Sequence, residues 1–141
     1  MTTDAKTTRL TSVGRMLNLL TSKLNAEMNA RLKPLGLGLP EFSILMTLLE
    51  LEGQTQSELG KKSAIPAHGT SRSIDALEAL DLVERRPDPT SRRSHRIFLT
   101  RKGHQIGPQL FAIVAEVNAW LLNGANEAEK QTFAATLVKI L

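Results

Sequence analysis

The sequence contains no cysteine. That absence excludes a disulfide scaffold, a thiolate zinc site, a cysteine nucleophile and a thiol-based redox switch. No stretch approaches the roughly 18 consecutive apolar residues of a transmembrane helix. The segment Met1 to Thr11 is polar and lacks the apolar core of a secretory signal. No low-complexity tract and no internal repeat is visible. What is present is a 141-residue chain, 41% hydrophobic and 23% charged, which suits one folded domain with or without helical extensions and argues against wholesale disorder. A soluble, cytoplasmic protein with no membrane partner is expected, with residues 1 to 8 a loose tail.

The net charge is +4, from 18 Lys and Arg against 14 Asp and Glu. Its size says little about partners, but its placement says more. Residues 1–60 carry six basic and six acidic side chains. Residues 61–104 carry ten basic and five acidic ones, and the remaining 37 carry two and three. All of the excess, +5, therefore lies in the middle of the chain.

Hydrophobic spacing sets out the elements. Leu10, Val13, Leu17, Leu20, Leu24, Met28 and Leu32 recur at steps of three and four, which is helical. Pro34, Gly36 and Gly38 end that helix after roughly 35 Å. A second helix begins at Pro40, is apolar over most of its surface, and ends at Gly53. Thr55-Gln56-Ser57-Glu58 fits a capping box, opening a short helix over 56–62 that buries Leu59. A fourth helix runs from Pro66 to about Leu80, with Ile74, Leu77 and Leu80 inward and His68, Ser71, Arg72 and Asp75 outward. Leu82 to Arg86 reads as a strand, 87–94 as a Pro-containing loop, and His95 to Leu99 as a second strand. Thr100 caps a fifth helix carrying Ile106, Leu110, Ile113, Val117, Trp120 and Leu121, which Pro108 kinks or delays. A final helix over about 126–140 follows the Asn123-Gly124 break.

Helix, short capped helix, helix, then a hairpin with a basic tip is the order of a winged helix-turn-helix. The second helix of such a pair enters the major groove. The hairpin tip, the wing, reaches a neighbouring minor groove, where an Arg meets concentrated negative potential. Small residues near the start of the fourth helix (Ala67, Gly69, Thr70, Ser71) permit close approach. Lys61 and Lys62 end the third helix where phosphate is near, and Arg92 and Arg93 sit on the wing. The candidate DNA-binding set is therefore Lys61, Lys62, His68, Thr70, Ser71, Arg72, Arg92 and Arg93.

From Gln54 to Leu99 the chain resembles the MarR family of bacterial transcriptional regulators. The resemblance rests on Thr55-Gln56-Ser57-Glu58-Leu59, on Ile74 through Arg86, on Pro87-Asp88-Pro89 through Arg92-Arg93, and on Leu99-Thr100 followed by Lys102-Gly103. The long first helix, the Leu39-Pro40-Glu41-Phe42 entry and two closing helices agree, so that it covers nearly the whole chain. The family usually places an Asp before the wing Arg pair. Here that position is Ser91, which orients the first Arg more weakly than a carboxylate does. The resemblance implies a homodimer built on the first and last helices, a palindromic operator with repression as the expected sense and, in many members, release by a small-molecule effector. Under it, residues 39–103 form the winged helix-turn-helix DNA-binding domain, and 9–33 with 104–141 form dimerisation helices. The fold class is mainly α with a small β-hairpin.

The dimer also has support from the residues themselves. Three apolar stripes lie outside the winged module, more than one module covers, and a second subunit would bury them. Two recognition helices would then stand about 34 Å apart, one DNA turn.

Plainer readings stand beside these. His68 is equally a solvated helix-start residue. Arg72 is alternatively an intrahelical partner of Asp75 or Glu78, and Asp75 is structural rather than a base reader. Lys61 and Lys62 also read as a solvated helix end, and Arg92 and Arg93 as a solvated pair. His68, His95 and His104 match no metal-ligand spacing, so no metal and no cofactor is expected. Phe111 and Trp120 read as core or as lining for a ligand. No nucleophile relay or phosphate loop points to an enzyme. The alternative function is a winged-helix protein-interaction module without operator binding, which the basic central segment disfavours.

Overall fold

The structure, a computed structural model, describes residues 3–63 and 67–141, without the side chains of Ala67 and His68. The expected helix start at Pro66 lies outside the described residues.

The single long helix expected from Leu10 is two helices, α1 (Ala5–Thr11) and α2 (Val13–Leu32). Each has its own side-chain cap. Asp4 Oδ1 accepts from Thr7 N at 2.8 Å, and Ser12 Oγ accepts from Arg15 N at 3.2 Å. Asp and Ser caps each satisfy one orphan amide of a first turn, which is why part of the expected tail is helical and why the break falls at Ser12. A single 3-10 turn, Lys33–Leu35, closes α2 and leads through Gly36, at φ +75°, to α3 (Leu39–Glu50).

Gly53 does not end α3, which stops at Glu50. Its φ of +74° instead turns the chain into a two-residue strand, β1 (Gln54–Thr55). Next come α4 (Gln56–Lys62) and α5 (Ala67–Ala79). The wing is longer in its strands and shorter in its loop than the sequence suggests: β2 is Val83–Asp88 and β3 is Ser91–Leu99. Pro87 had read as loop because proline lacks the ladder donor. It fits because β2 is an edge strand of the antiparallel sheet β1-β3-β2. The register pairs Val83 with Leu99 through Pro87 with His95.

Thr100 Oγ1 accepts from Gly103 N at 3.0 Å and caps α6 (Arg101–Gln105). The chain then restarts as α7 (Gly107–Leu121), with Pro108 in its first turn, so the proline delays the helix rather than kinking it. Gly103 is required by packing. A Cβ there would stand 2.1 Å from the Leu82 carbonyl oxygen. Asn126 and Glu129 form a capping box that opens α8 (Glu127–Ile140).

The core joins α2, α3, α4, α5, β3 and α7. Leu32, Ile44, Leu45, Leu48, Leu59, Ile74, Leu77, Ile97, Leu110 and Val117 are at most 1% exposed. Each such side chain contributes about 1.5–3 kcal/mol by leaving water. Arg31 fastens α2 to α7, pairing with Glu27 at 3.0 Å and Glu116 at 2.6 Å. The outer helices behave differently. α1 and α8 bury no side chain, and Leu10, Val13, Met16, Leu19 and Phe111 are each 45% or more exposed. Among the described residues no single helix is long and apolar enough to cross a membrane.

Candidate nucleic-acid interface

The capping box of α4 forms in both directions: Glu58 N donates to Thr55 Oγ1 at 3.2 Å, and Thr55 N donates to Glu58 Oε2 at 3.0 Å. This fixes the start of α4 on the sheet and leaves Lys61 and Lys62 exposed in its last turn. On α5, residues Thr70, Ser73, Ile74 and Leu77 are buried at helical spacing and form its inner face. Thr70, 1% exposed, is therefore a correction to the expected interface. As a small residue it is expected from the sequence to permit close approach to the groove, but the helix phase turns its side chain inward. Arg72 and Asp75 are exposed on the outer face and Ser71 is half-buried beside them. The side chain of His68 lies outside the described residues.

The two carboxylates of that face are held from the wing. Arg85 of β2 places Nη1 2.8 Å from Asp75 Oδ1 and also pairs with Glu78. Its Nη2 reaches the Ser71 carbonyl at 3.4 Å. Arg72 consequently pairs with neither carboxylate, and among the described residues it makes no ion pair. The outer face thus presents the Arg72 guanidinium, free of ion pairs among the described residues, beside two acids that share one counter-charge.

The hairpin sorts its arginines into two groups. Arg86 pairs with Glu84, Nε to Oε1 at 2.8 Å, and lies over the Phe98 ring at 4.0 Å. Arg96 donates from Nε to Asp88 Oδ1 at 3.2 Å and from Nη1 to the Gly53 carbonyl at 2.8 Å. Arg92 and Arg93 are exposed and make no ion pair among the described residues. The register explains their projection. Pro87 pairs with His95 but Asp88 pairs with Ser91, so Arg92, Arg93 and Ser94 bulge out of the ladder. The turn is anchored by Asp88, whose Oδ1 accepts from Thr90 N at 3.0 Å and Thr90 Oγ1 at 2.8 Å. These bonds, the amide first, hold the Asp88 carboxyl below the usual carboxylate range, and Arg96 adds to the effect.

The roles of Arg85, Asp88 and Arg96 were not separable in the sequence, where each read as one more charge of the basic segment. The pairing register would have supplied the signal. Of the two histidines whose side chains are described, His104 has Nε2 3.2 Å from Glu52 Oε1, and His95 is exposed. Among the described residues no three metal-ligating side chains come together.

Similarity to known proteins agrees with this geometry. Residues 35–94 match the model of the MarR family. An HTH-type transcriptional repressor of Mycobacterium tuberculosis is 28% identical over 128 residues, covering 91% of this chain and 92% of the relative. The reduced form of MarR from E. coli superposes with a TM-score of 0.86 at 26% identity, over 92% of this chain and 96% of that one. A variant of E. coli MarR complexed with operator DNA superposes with a TM-score of 0.81 at 25% identity, over 99% of each chain. In winged-helix fold, motif order and these likenesses, the chain is similar to the MarR family of transcriptional regulators.

Proposed function

We propose that the protein is a sequence-specific repressor that binds a palindromic duplex as a homodimer in the cytoplasm. Residues 39–103 act as the DNA-binding domain, and 9–33 with 104–141 as dimerisation helices. The contacts are assigned to Lys61, Lys62, His68, Ser71 and Arg72 of the helix pair and to Arg92 and Arg93 of the wing. One observation carries the reading. Lys61, Lys62, Arg72, Arg92 and Arg93 are exposed without ion pairs among the described residues, whereas Arg85, Arg86 and Arg96 are engaged with acids. These five charges lie on the three pieces that a winged helix presents to a duplex. The relative in complex with operator DNA supports the same use of the fold.

Dimerisation is supported by the uncovered apolar surface of α1, α2, α7 and α8, where Val138 and Ile140 are 77% and 74% exposed. Effector release belongs to the same reading. A groove of about 300 Å³ between the end of α5 and the start of α7 has Leu35, Leu80, Leu82 and Ile106 as walls and Lys102 on its rim. Apolar walls beside one cation suit a small lipophilic acid.

The test is selection of duplexes from a random pool, followed by a salt titration. The five assigned Lys and Arg per subunit give a slope of log K against log salt near −9 for a dimer if all neutralise phosphate. Binding without sequence preference, or none, would sink the reading. Lipophilic acids added to the selected complex then test release.

A further inference from the structure

We propose that Arg96 is a positioning residue for duplex binding: with Asp88 it locks the wing tip onto the Gly53 turn, so that Arg92 and Arg93 are delivered in fixed register with α4 and α5. The proposal rests on the DNA-binding reading above and adds to it a residue that touches no nucleic acid.

The chain of contacts is continuous. At the tip, Thr90 gives its amide and its hydroxyl to Asp88 Oδ1. That same oxygen accepts from Arg96 Nε, and the Asp88 side chain is only 5% exposed. From Arg96 the path leaves the hairpin, because Nη1 donates to the Gly53 carbonyl at 2.8 Å. Gly53 is itself tied to β3, its amide donating to the Ile97 carbonyl at 2.9 Å. Its left-handed backbone and the Phe98 ring, 3.3 Å from where a Cβ would stand, leave that turn little freedom. Gly53 leads directly into β1 and the Thr55 cap of α4. The Arg96 guanidinium thereby ties the wing tip to the turn before the helix pair, in addition to the β1–β3 ladder and the Arg85 pairs at the base of the wing.

Only a planar fork makes both bonds at once. A lysine keeps the charge but offers a single ammonium, which reaches Asp88 or Gly53 and not both. Beyond the β1 pairing at Arg96 and Ile97 the tip is a two-stranded ribbon, marginal by itself. Without the latch that tip loosens, and the arginines of its bulge incur an ordering cost on binding. Arg92 and Arg93 then contribute less although both remain.

The experiment measures duplex affinity and its salt dependence for the full-length protein, Arg96→Gln, Arg96→Lys and Asp88→Asn, each with and without Arg92→Ala plus Arg93→Ala. Arg96→Gln and Arg96→Lys should each weaken binding roughly tenfold with the salt slope unchanged, because no phosphate contact is lost. The Arg92–Arg93 double substitution should cost roughly 100-fold in the parent and less than about tenfold in either Arg96 variant, the signature of coupling. Three results overturn the proposal: rescue by Arg96→Lys, additive losses, or a slope shallower by about 1.8, which would make Arg96 a phosphate contact in both subunits. Should Arg96→Gln fail to fold, Arg96→Lys and Asp88→Asn carry the same comparison. Amide exchange of Thr90 in the free protein separates the two readings. Faster exchange in Arg96→Lys supports the latch even if the parent binds no duplex, and unchanged exchange overturns it even if the duplex binds.

Discussion

Arg85 Nη1 lies 2.8 Å from Asp75 Oδ1, joining the first strand of the wing to the outer face of the helix proposed to enter the groove. The same guanidinium pairs with Glu78, so one cation offsets half the charge of two acids that would otherwise face phosphate. Arg85→Gln should therefore weaken duplex binding about tenfold through like-charge repulsion. The Asp75→Asn change in the same chain should recover part of that loss. Stability should change by less than about 1 kcal/mol, since Asp75 is largely exposed and the pair is screened. Anisotropy titrations and thermal melts of the single and double variants check both halves.

Arg92→Ala and Arg93→Ala should behave differently from Arg85→Gln. Neither residue has an ion pair to lose among the described residues, so the fold and the melting temperature should hold. Each substitution removes one cation per subunit, and the salt slope of a dimer should flatten by about 1.8. An unaltered affinity and slope would remove the wing from the interface.

Much of this is legible in the sequence. Periodicity placed α3, α5 and α7, and the Thr55–Glu58 spacing gave the start of α4 to the residue. The resemblance to the MarR family is readable from motif order across the wing. What escaped the sequence depends on backbone pairing. β1 is two residues long and has no pattern of its own; it exists because β3 offers it a partner. Ser91 and Arg92 were read as loop because a run of polar residues looks the same in a turn and on a two-sided exposed strand. Thr70 was misassigned for a related reason: a small polar residue carries no hydrophobic phase, and only the helix rotation set by Ile74 and Leu77 shows that it points inward. Asp88, Arg96 and Arg85 differ from their neighbours only in which side chain stands opposite.

The apolar stripe of α2 predicts its own test. Val13 is 66% exposed and Leu17 39% exposed in the single chain, so charging them should not disturb the monomer core. Val13→Glu with Leu17→Glu should shift the protein toward monomer in sedimentation equilibrium. Duplex affinity should fall with it, since two linked half-sites bind far more tightly than one. Trp120, the one tryptophan of the chain, is 40% exposed and should report the change by fluorescence.

Gly103→Ala should fail on stability rather than on binding. The added Cβ would meet the Leu82 carbonyl oxygen at 2.1 Å, and that oxygen also accepts from Thr100 N at 3.0 Å. Neither backbone segment can yield without opening the junction of β2, β3 and α6. A loss of about 1–3 kcal/mol or more is expected, the cost of overpacking against a rigid partner. Urea denaturation of the variant beside Gly124→Ala gives the contrast, because nothing lies within 4 Å of a Cβ at Gly124.

The Asp88 carboxylate sets an acid limit on wing order. Its folded-state pKa is lowered from 3.8, chiefly by the Thr90 amide, then by the Thr90 hydroxyl and Arg96. A group depressed on folding contributes stability that is fully present above its unfolded value and lost as pH falls through the folded one. Thr90 amide protection should therefore be constant from neutrality to about pH 5. It should decline only below 3.8, as protonation takes an acceptor from Thr90 and the counter-charge from Arg96. Asp88→Asn should remove that acid step and lower protection at neutral pH to a level independent of pH, once intrinsic exchange rates are divided out. Hydrogen exchange followed residue by residue between pH 3 and 7 decides the matter. An acid step that persists in Asp88→Asn would assign the titration to another group.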